Sequence, residues 1–155
     1  MSLILIDGSA LFYRAHYAFA RRPLTAPNGE ITSVAFGFFN SILRLIENFD
    51  PAKIAVVFDV KGKNFRHDIY PDYKANRKPM PSELAEQIPR LRELLDAWGI
   101  AVLEKEGVEA DDVIGTMARR SAGVCDHVWL YASDKDFMQL LDTRTGMLKP
   151  ARRGG

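Results

Sequence analysis

Hydrophobic positions along this chain fall in short, dense bursts that are repeatedly stopped by an acid. Residues 3–6, Leu-Ile-Leu-Ile, form a wholly apolar run ended by Asp7-Gly8-Ser9, the pattern of a strand buried on both faces and closed by a turn. From Thr32, a candidate N-cap, the period changes. Val34, Phe36, Phe38, Phe39, Ile42, Leu43, Leu45 and Ile46 recur at helical spacing and stop before Asp50-Pro51, predicting a helix of about four turns. Residues 54–58 are a second buried-strand run, terminated by Asp59. Ser82 is placed to cap a helix carrying Leu84, Ile88, Leu91, Leu94, Leu95 and Trp98; Pro89 predicts a kink or a late start, and Gly99 the stop. Residues 100–103 predict a short strand, 110–120 a helix opened by acids, and 128–132 an apolar strand ended by Ser133-Asp134. The last twelve residues read as a tail. Strands alternating with helices predict an α/β domain with a parallel sheet between helical layers.

Residues 60–81 break this alternation. They carry Gly62, Pro71, Pro79 and Pro81 with little apolar periodicity, so they read as a long excursion of the kind that is usually functional or disordered. Between residues 61 and 78 six cations (Lys61, Lys63, Arg66, Lys74, Arg77, Lys78) face only Asp68 and Asp72, with Phe65, Tyr70 and Tyr73 interleaved. Cations among aromatics suit a phosphate backbone with unstacked bases, although a solvated loop carries such charges too. The whole-chain balance gives no such signal: 21 Lys and Arg against 20 Asp and Glu leave a net charge of +1.

Three predicted strands end in Asp7, Asp59 and Asp134. In an open parallel sheet the C-terminal strand ends share one edge, where ligands bind. Glu109, Asp111 and Asp112 open the helix between them, and Asp136 follows Asp134 by two residues. Each acid alone has an ordinary explanation as a turn former, a helix opener or a capping-box member. Together they amount to seven anions at one edge, which need protonation or bound cations. Oxygen donors without Cys or His point to Mg²⁺ or Mn²⁺ rather than zinc. Acids for metal beside a basic, aromatic arm suit metal-assisted phosphodiester hydrolysis.

Other chemistries find less support. His16, His67 and His127 share no ligand spacing, Cys125 has no adjacent base, and no phosphate-binding glycine loop occurs. Trp98 and Trp129 read as core. A single cysteine excludes an internal disulfide, and no apolar run approaches the ~20 residues of a bilayer span. With no basic leader before the first apolar run, a cytoplasmic address is the default.

The segments IDGSALFYRAHYAF, AVVFDVKGKNFRHDIYPDYKANRKPMP, GVEADDVIGTMA and SDKDFMQLL, in this order from Leu3 to about Leu141, resemble the 5′-nuclease domain of bacterial DNA polymerase I and, more distantly, flap endonucleases. The resemblance implies a PIN-like 5′-nuclease core over residues 1–143, with residues 60–81 as a helical arch or long loop over the active site and 144–155 as a basic, disordered tail. It implies metal ligation by Asp7, Asp59, Glu109, Asp111, Asp112, Asp134 and Asp136, with two Mg²⁺ ions in the complete family site and Mn²⁺ as a substitute. Lys74 and Arg77 would contact the scissile or neighbouring phosphate, Tyr73 would stack on a base, and Arg14 would touch a further phosphate. Lys61, Lys63, Arg66 and Lys78 join them as DNA-binding candidates.

The family continues after SDKD with a half that carries a further aspartate pair and a helix-hairpin-helix element gripping duplex DNA. Here nineteen residues follow Asp136, and TRTGMLKPARRGG does not match that half. The expectation is therefore either a fragment of a longer nuclease or a natural short form. The leading functional reading is a metal-dependent 5′-3′ exonuclease or flap endonuclease acting at the 5′ end of DNA in replication and repair. RNA primers are a further substrate, and a DNA polymerase, attached or separate, a partner. A noncatalytic DNA-binding module is the alternative. A receiver-like phosphoacceptor also places acids at strand ends but leaves the arm unexplained, and an aspartate-nucleophile phosphatase wants an acid where Ser9 stands.

Overall fold

The computed structural model describes residues 1–76 and 78–150. Its centre is a five-stranded, wholly parallel sheet built from β1 (Ser2–Asp7), β2 (Lys53–Val57), β3 (Ala101–Leu103), β4 (His127–Tyr131) and β5 (Thr145–Leu148), in the order β3-β2-β1-β4-β5. β1 lies in the middle, with Ile4 beside Ile54 on one side and Trp129 on the other. Both of its faces are covered, which is why its apolar run is continuous. Ile4 and Ile6 pack with Phe38, Ile42, Leu91 and Leu95 beneath α1 (Gly8–Ala18), α2 (Ser33–Phe49) and α5 (Ile88–Ala97). Leu3 and Leu5 point the other way, onto Ile114 and Ala118 of α6 (Ala110–Ser121). The expected α/β layering is present.

Several boundaries differ from the sequence reading, each for a local reason. β1 does not end in a turn. Asp7 passes directly into α1, with its carboxylate accepting from Ala10 N at 2.9 Å as the N-cap. Gly8 makes this abrupt junction possible, because a Cβ there would lie 2.6 Å from Val56 Cγ1 and 2.9 Å from the Val57 carbonyl oxygen. Gly8→Ala is accordingly expected to destabilise the fold by about 1–3 kcal/mol, the usual effect of overpacking, measurable by urea unfolding. Thr32 makes no capping bond to α2; the buried Gln87 serves instead, its Oε1 accepting from Val34 N at 3.0 Å.

The helix expected from Ser82 is split into α4 (Ser82–Ala85) and α5, the late start that Pro89 predicted. Trp98 is 43% exposed and rests against Phe39 rather than joining the core. The tail expected from residue 144 is overturned for residues 145–148. Asp142 turns the chain by accepting from Arg144 N and Thr145 N at 2.8 and 2.7 Å, and β5 then pairs with β4. Gly146 admits the face of Trp129, which a Cβ would meet at 2.3 Å. Residues 151–155 of that expected tail, with Arg152 and Arg153, lie outside the described residues. Among the described residues no helix is long and apolar enough to cross a membrane.

Candidate metal centre and nucleic-acid interface

Strand order fixes where the site must be. The chain builds β1, β2 and β3 outward in one direction and then crosses to β4 and β5 on the other side of β1. The C-terminal edge between β1 and β4 is thus the topological switch point, where an open α/β sheet leaves a crevice. Asp7 ends β1 and Asp134 follows β4 there. Asp59 comes two residues after β2, and α6 begins with Glu109 at its N-cap and Asp111 in its first turn.

Six of the seven expected metal-ligand acids line this crevice of about 650 Å³: Asp7, Asp59, Glu109, Asp111, Asp134 and Asp136. Several also cap a local element, so the ordinary explanations hold beside the functional one. Asp59 Oδ1 accepts from Ala110 N at 2.8 Å, and Asp134 Oδ1 accepts from Asp136 N at 2.9 Å at the head of a 3₁₀ turn over Lys135–Leu140. Asp112 departs from the set. Its carboxylate accepts two hydrogen bonds from the Arg66 guanidinium, at 2.7 and 2.8 Å, and a third from Glu109 N at 3.0 Å. Arg66, more than any other neighbour, holds Asp112 below the usual carboxylate range.

Crowded anions shape the electrostatics around Asp7 and Asp111. Burial raises Asp7, only partly offset by the Ala10 N–H, and the charges of Asp59 and Asp134 raise it further. Asp111 is pushed up to about 6, first by desolvation and then by Asp7, Asp134, Asp59 and Glu109. All these donors are hard oxygens that favour a positive charge, which fits a divalent ion. As they stand, no three acidic, His or Cys side chains among the described residues close into a coordination sphere.

One cation faces the acids from the arm. Lys74 Nζ donates to Glu109 Oε1 at 2.7 Å, and its backbone sits in the left-handed region at φ +56, which residues with a Cβ seldom adopt. Burial lowers Lys74, but the hydrogen bond and charge of Glu109 outweigh it, leaving the ammonium above its ordinary value. Tyr73 donates to Glu109 Oε2 at 3.3 Å, with its ring edge-on to His67. Lys61 and Lys63 line an adjoining cleft with Lys74, Lys78 borders a further one, and Arg14 lies on the exposed side of α1. Arg77 lies outside the described residues. Of the DNA-binding candidates, Arg66 is held by Asp112, and Lys74 and Tyr73 by Glu109.

Sequence reasoning missed the clip that holds this arm. The excursion contains a short helix, α3 (Phe65–Ile69), capped by Asn64, whose Oδ1 accepts from Arg66 N at 3.0 Å while its Nδ2 donates to Glu109 Oε1 at 3.0 Å. His67 closes the capping box through Nδ1 and Asn64 N. The Asn-x-x-His spacing was the available signal, weaker than the usual Ser/Thr-x-x-Glu pattern. Asn64→Ala is expected to destabilise by about 1 kcal/mol, and Asn64→Ser, which keeps a capping oxygen, by only a few tenths, as read by urea unfolding. Tyr13, on α1, also lines the acidic crevice and was not singled out.

A family model described as the 5′-3′ exonuclease, N-terminal resolvase-like domain, matches residues 2–154. The chain belongs to this family. This exonuclease-family domain is 42% identical over 142 residues to DNA polymerase I of Caldicellulosiruptor bescii and 44% identical over 140 residues to DNA polymerase I of Treponema pallidum. Those alignments take in 92% and 90% of the chain but only 16% and 14% of the two polymerases. Among solved structures, the bacteriophage T5 D15 flap endonuclease, in a pseudo-enzyme-product complex with DNA and metal ions, is 25% identical with a TM-score of 0.72. That match covers 96% of this domain and 55% of the phage protein. The family resemblance carried by the four sequence segments is borne out, and so is the parallel, helix-flanked sheet.

Proposed function

We propose that this 5′-3′ exonuclease-family domain is a divalent-metal-dependent 5′-nuclease that hydrolyses phosphodiester bonds near the 5′ end or flap of DNA. The observation that carries this is the meeting of six carboxylates and Lys74 around one open crevice. Asp7, Asp59, Glu109, Asp111, Asp134 and Asp136 would hold Mg²⁺, or Mn²⁺ in its place. A bound ion supplies polarisation of the phosphoryl oxygen and acidification of water. Lys74 binds and orients the scissile phosphate, and Arg77, by position in the family motif, contacts the same or a neighbouring one. Tyr73 supplies a ring for a base, while Arg14, Lys61, Lys63 and Lys78 follow the strand. Asp112 acts through Arg66, holding the arm against the metal cradle, and is not itself a ligand in this arrangement.

The decisive experiment is cleavage of a 5′-labelled flap duplex in Mg²⁺, Mn²⁺ or chelator, beside Asp134→Asn. Metal-dependent release of short 5′ products, lost in the variant, is expected. A second reading, a DNA-binding module without turnover, draws on the open, unclosed arrangement of the acids. Retained flap binding with no cleavage in either metal would select it. RNA primers belong to the proposed substrate range, a DNA polymerase is the proposed partner, and the bacterial cytoplasm at the nucleoid is the proposed location.

A further inference from the structure

Beside the acidic crevice lies a second cleft, of about 510 Å³, whose walls have the opposite chemistry. Phe12 and Leu91 are buried at its floor, and Phe58, Met80 and Ile88 are half-buried around them. Ser9, Tyr13 and Asp59 line both cavities, so whatever fills one is the immediate neighbour of whatever fills the other. At the rim the charge of Arg92 is held by Glu104, whereas Lys61 and Lys78 make no ion pair among the described residues. A phosphate would lose its hydration inside such walls without compensation, whereas a flat heterocycle gains contact with aromatic rings and the Met80 thioether. Unpaired lysines at the mouth and apolar walls inside match a nucleotide that leaves its phosphates outside and inserts its base.

We propose that this cleft is a nucleobase subsite, taking the base of the unpaired nucleotide adjacent to the phosphate held at the acidic crevice, with Lys61 and Lys78 on the flanking phosphates. The proposal rests on the nuclease reading, and its test is independent of turnover. Methyl-labelled chain is titrated in chelator with a short oligodeoxyadenylate and with an abasic oligomer of equal length, binding of each being followed by fluorescence anisotropy. Ring-current shifts of the Met80 and Ile88 methyls are expected with the adenylate and not with the abasic strand. Met80→Trp, whose indole fills the cleft, is expected to weaken adenylate binding by about fivefold or more, the loss of one stacked base, and to leave abasic binding unchanged. The methyls of buried Leu130, in the core on the opposite face of the sheet, report whether that variant is folded. Adenylate binding with Met80 and Ile88 unmoved, or equal shifts with the abasic strand, overturns the subsite and leaves the nuclease reading standing. Failure of both strands to bind overturns the two together.

Discussion

Asp111→Asn is expected to lower metal-dependent flap cleavage by about a hundredfold or more and, at the same time, to raise the melting temperature of the metal-free chain near pH 7.5. The first effect follows from removing one preorganised carboxylate from the cradle where a cation must sit. The second follows from the charge the native side chain carries. Desolvation, and after it Asp7, Asp134, Asp59 and Glu109, raise Asp111 from 3.8 to about 6. Between those values the folded chain keeps a proton that the unfolded chain has released. The associated stability is full below 3.8 and is lost as pH rises through about 6. The metal-free chain should therefore melt higher at pH 5.5 than at pH 7.5, and Asp7, raised for similar reasons, pulls the same way. Mg²⁺ or Mn²⁺ should remove that difference by supplying the missing counter-charge. In Asp111→Asn the pH difference should shrink even in chelator. Thermal unfolding at the two pH values, with and without metal, checks all of these. An unchanged melting temperature in the variant, with cleavage intact, would remove Asp111 from the site.

The second large effect is expected at Lys74. Lys74→Ala should slow cleavage on the order of a hundredfold, as loss of a donor aimed at a reacting oxyanion does. Stability should change by no more than about 1 kcal/mol, because the ion pair with Glu109 is exposed on the lysine side and such pairs contribute little. The lost bond does not orphan Glu109, which keeps Asn64 Nδ2 at 3.0 Å and Tyr73 OH at 3.3 Å. Single-turnover cleavage beside urea unfolding separates the two readouts. A variant that cleaves at the wild-type rate would assign Lys74 to structure alone.

The elements legible in the sequence were those whose two-sided burial writes itself as an unbroken apolar run or a helical stripe: β1, β2, β4, α2 and α6. The acids were legible because a parallel sheet gathers its strand ends, so Asp7, Asp59 and Asp134 had one edge to share. α1 was hidden by the absence of any turn before it, the junction depending on the fit of Gly8 against Val56. β5 was hidden because it lies at the sheet margin, where Gly146 packs through its lack of a side chain. The division of labour between Asp111 and Asp112 could not be read either. Adjacent helical residues point about 100° apart, and which one faces the crevice depends on where α3 brings Arg66. Charge counting had likewise placed Arg66 with the DNA-binding cations, since the sequence does not show that its guanidinium is held by Asp112.

The central position of β1 also governs when the site can come into being. Its two partners, β2 and β4, begin about fifty and more than a hundred residues later in the chain. During synthesis the first strand must wait, unpaired on one side, until residue 127 and its neighbours have emerged, and long-range parallel pairing of this kind is slow. Asp7 ends the first strand of that central pairing, and Asp134 follows the second. A nascent chain thus holds Asp7 and Asp134 apart in water, and the carboxylates of the proposed metal cradle meet only once β4 has joined the centre of the sheet.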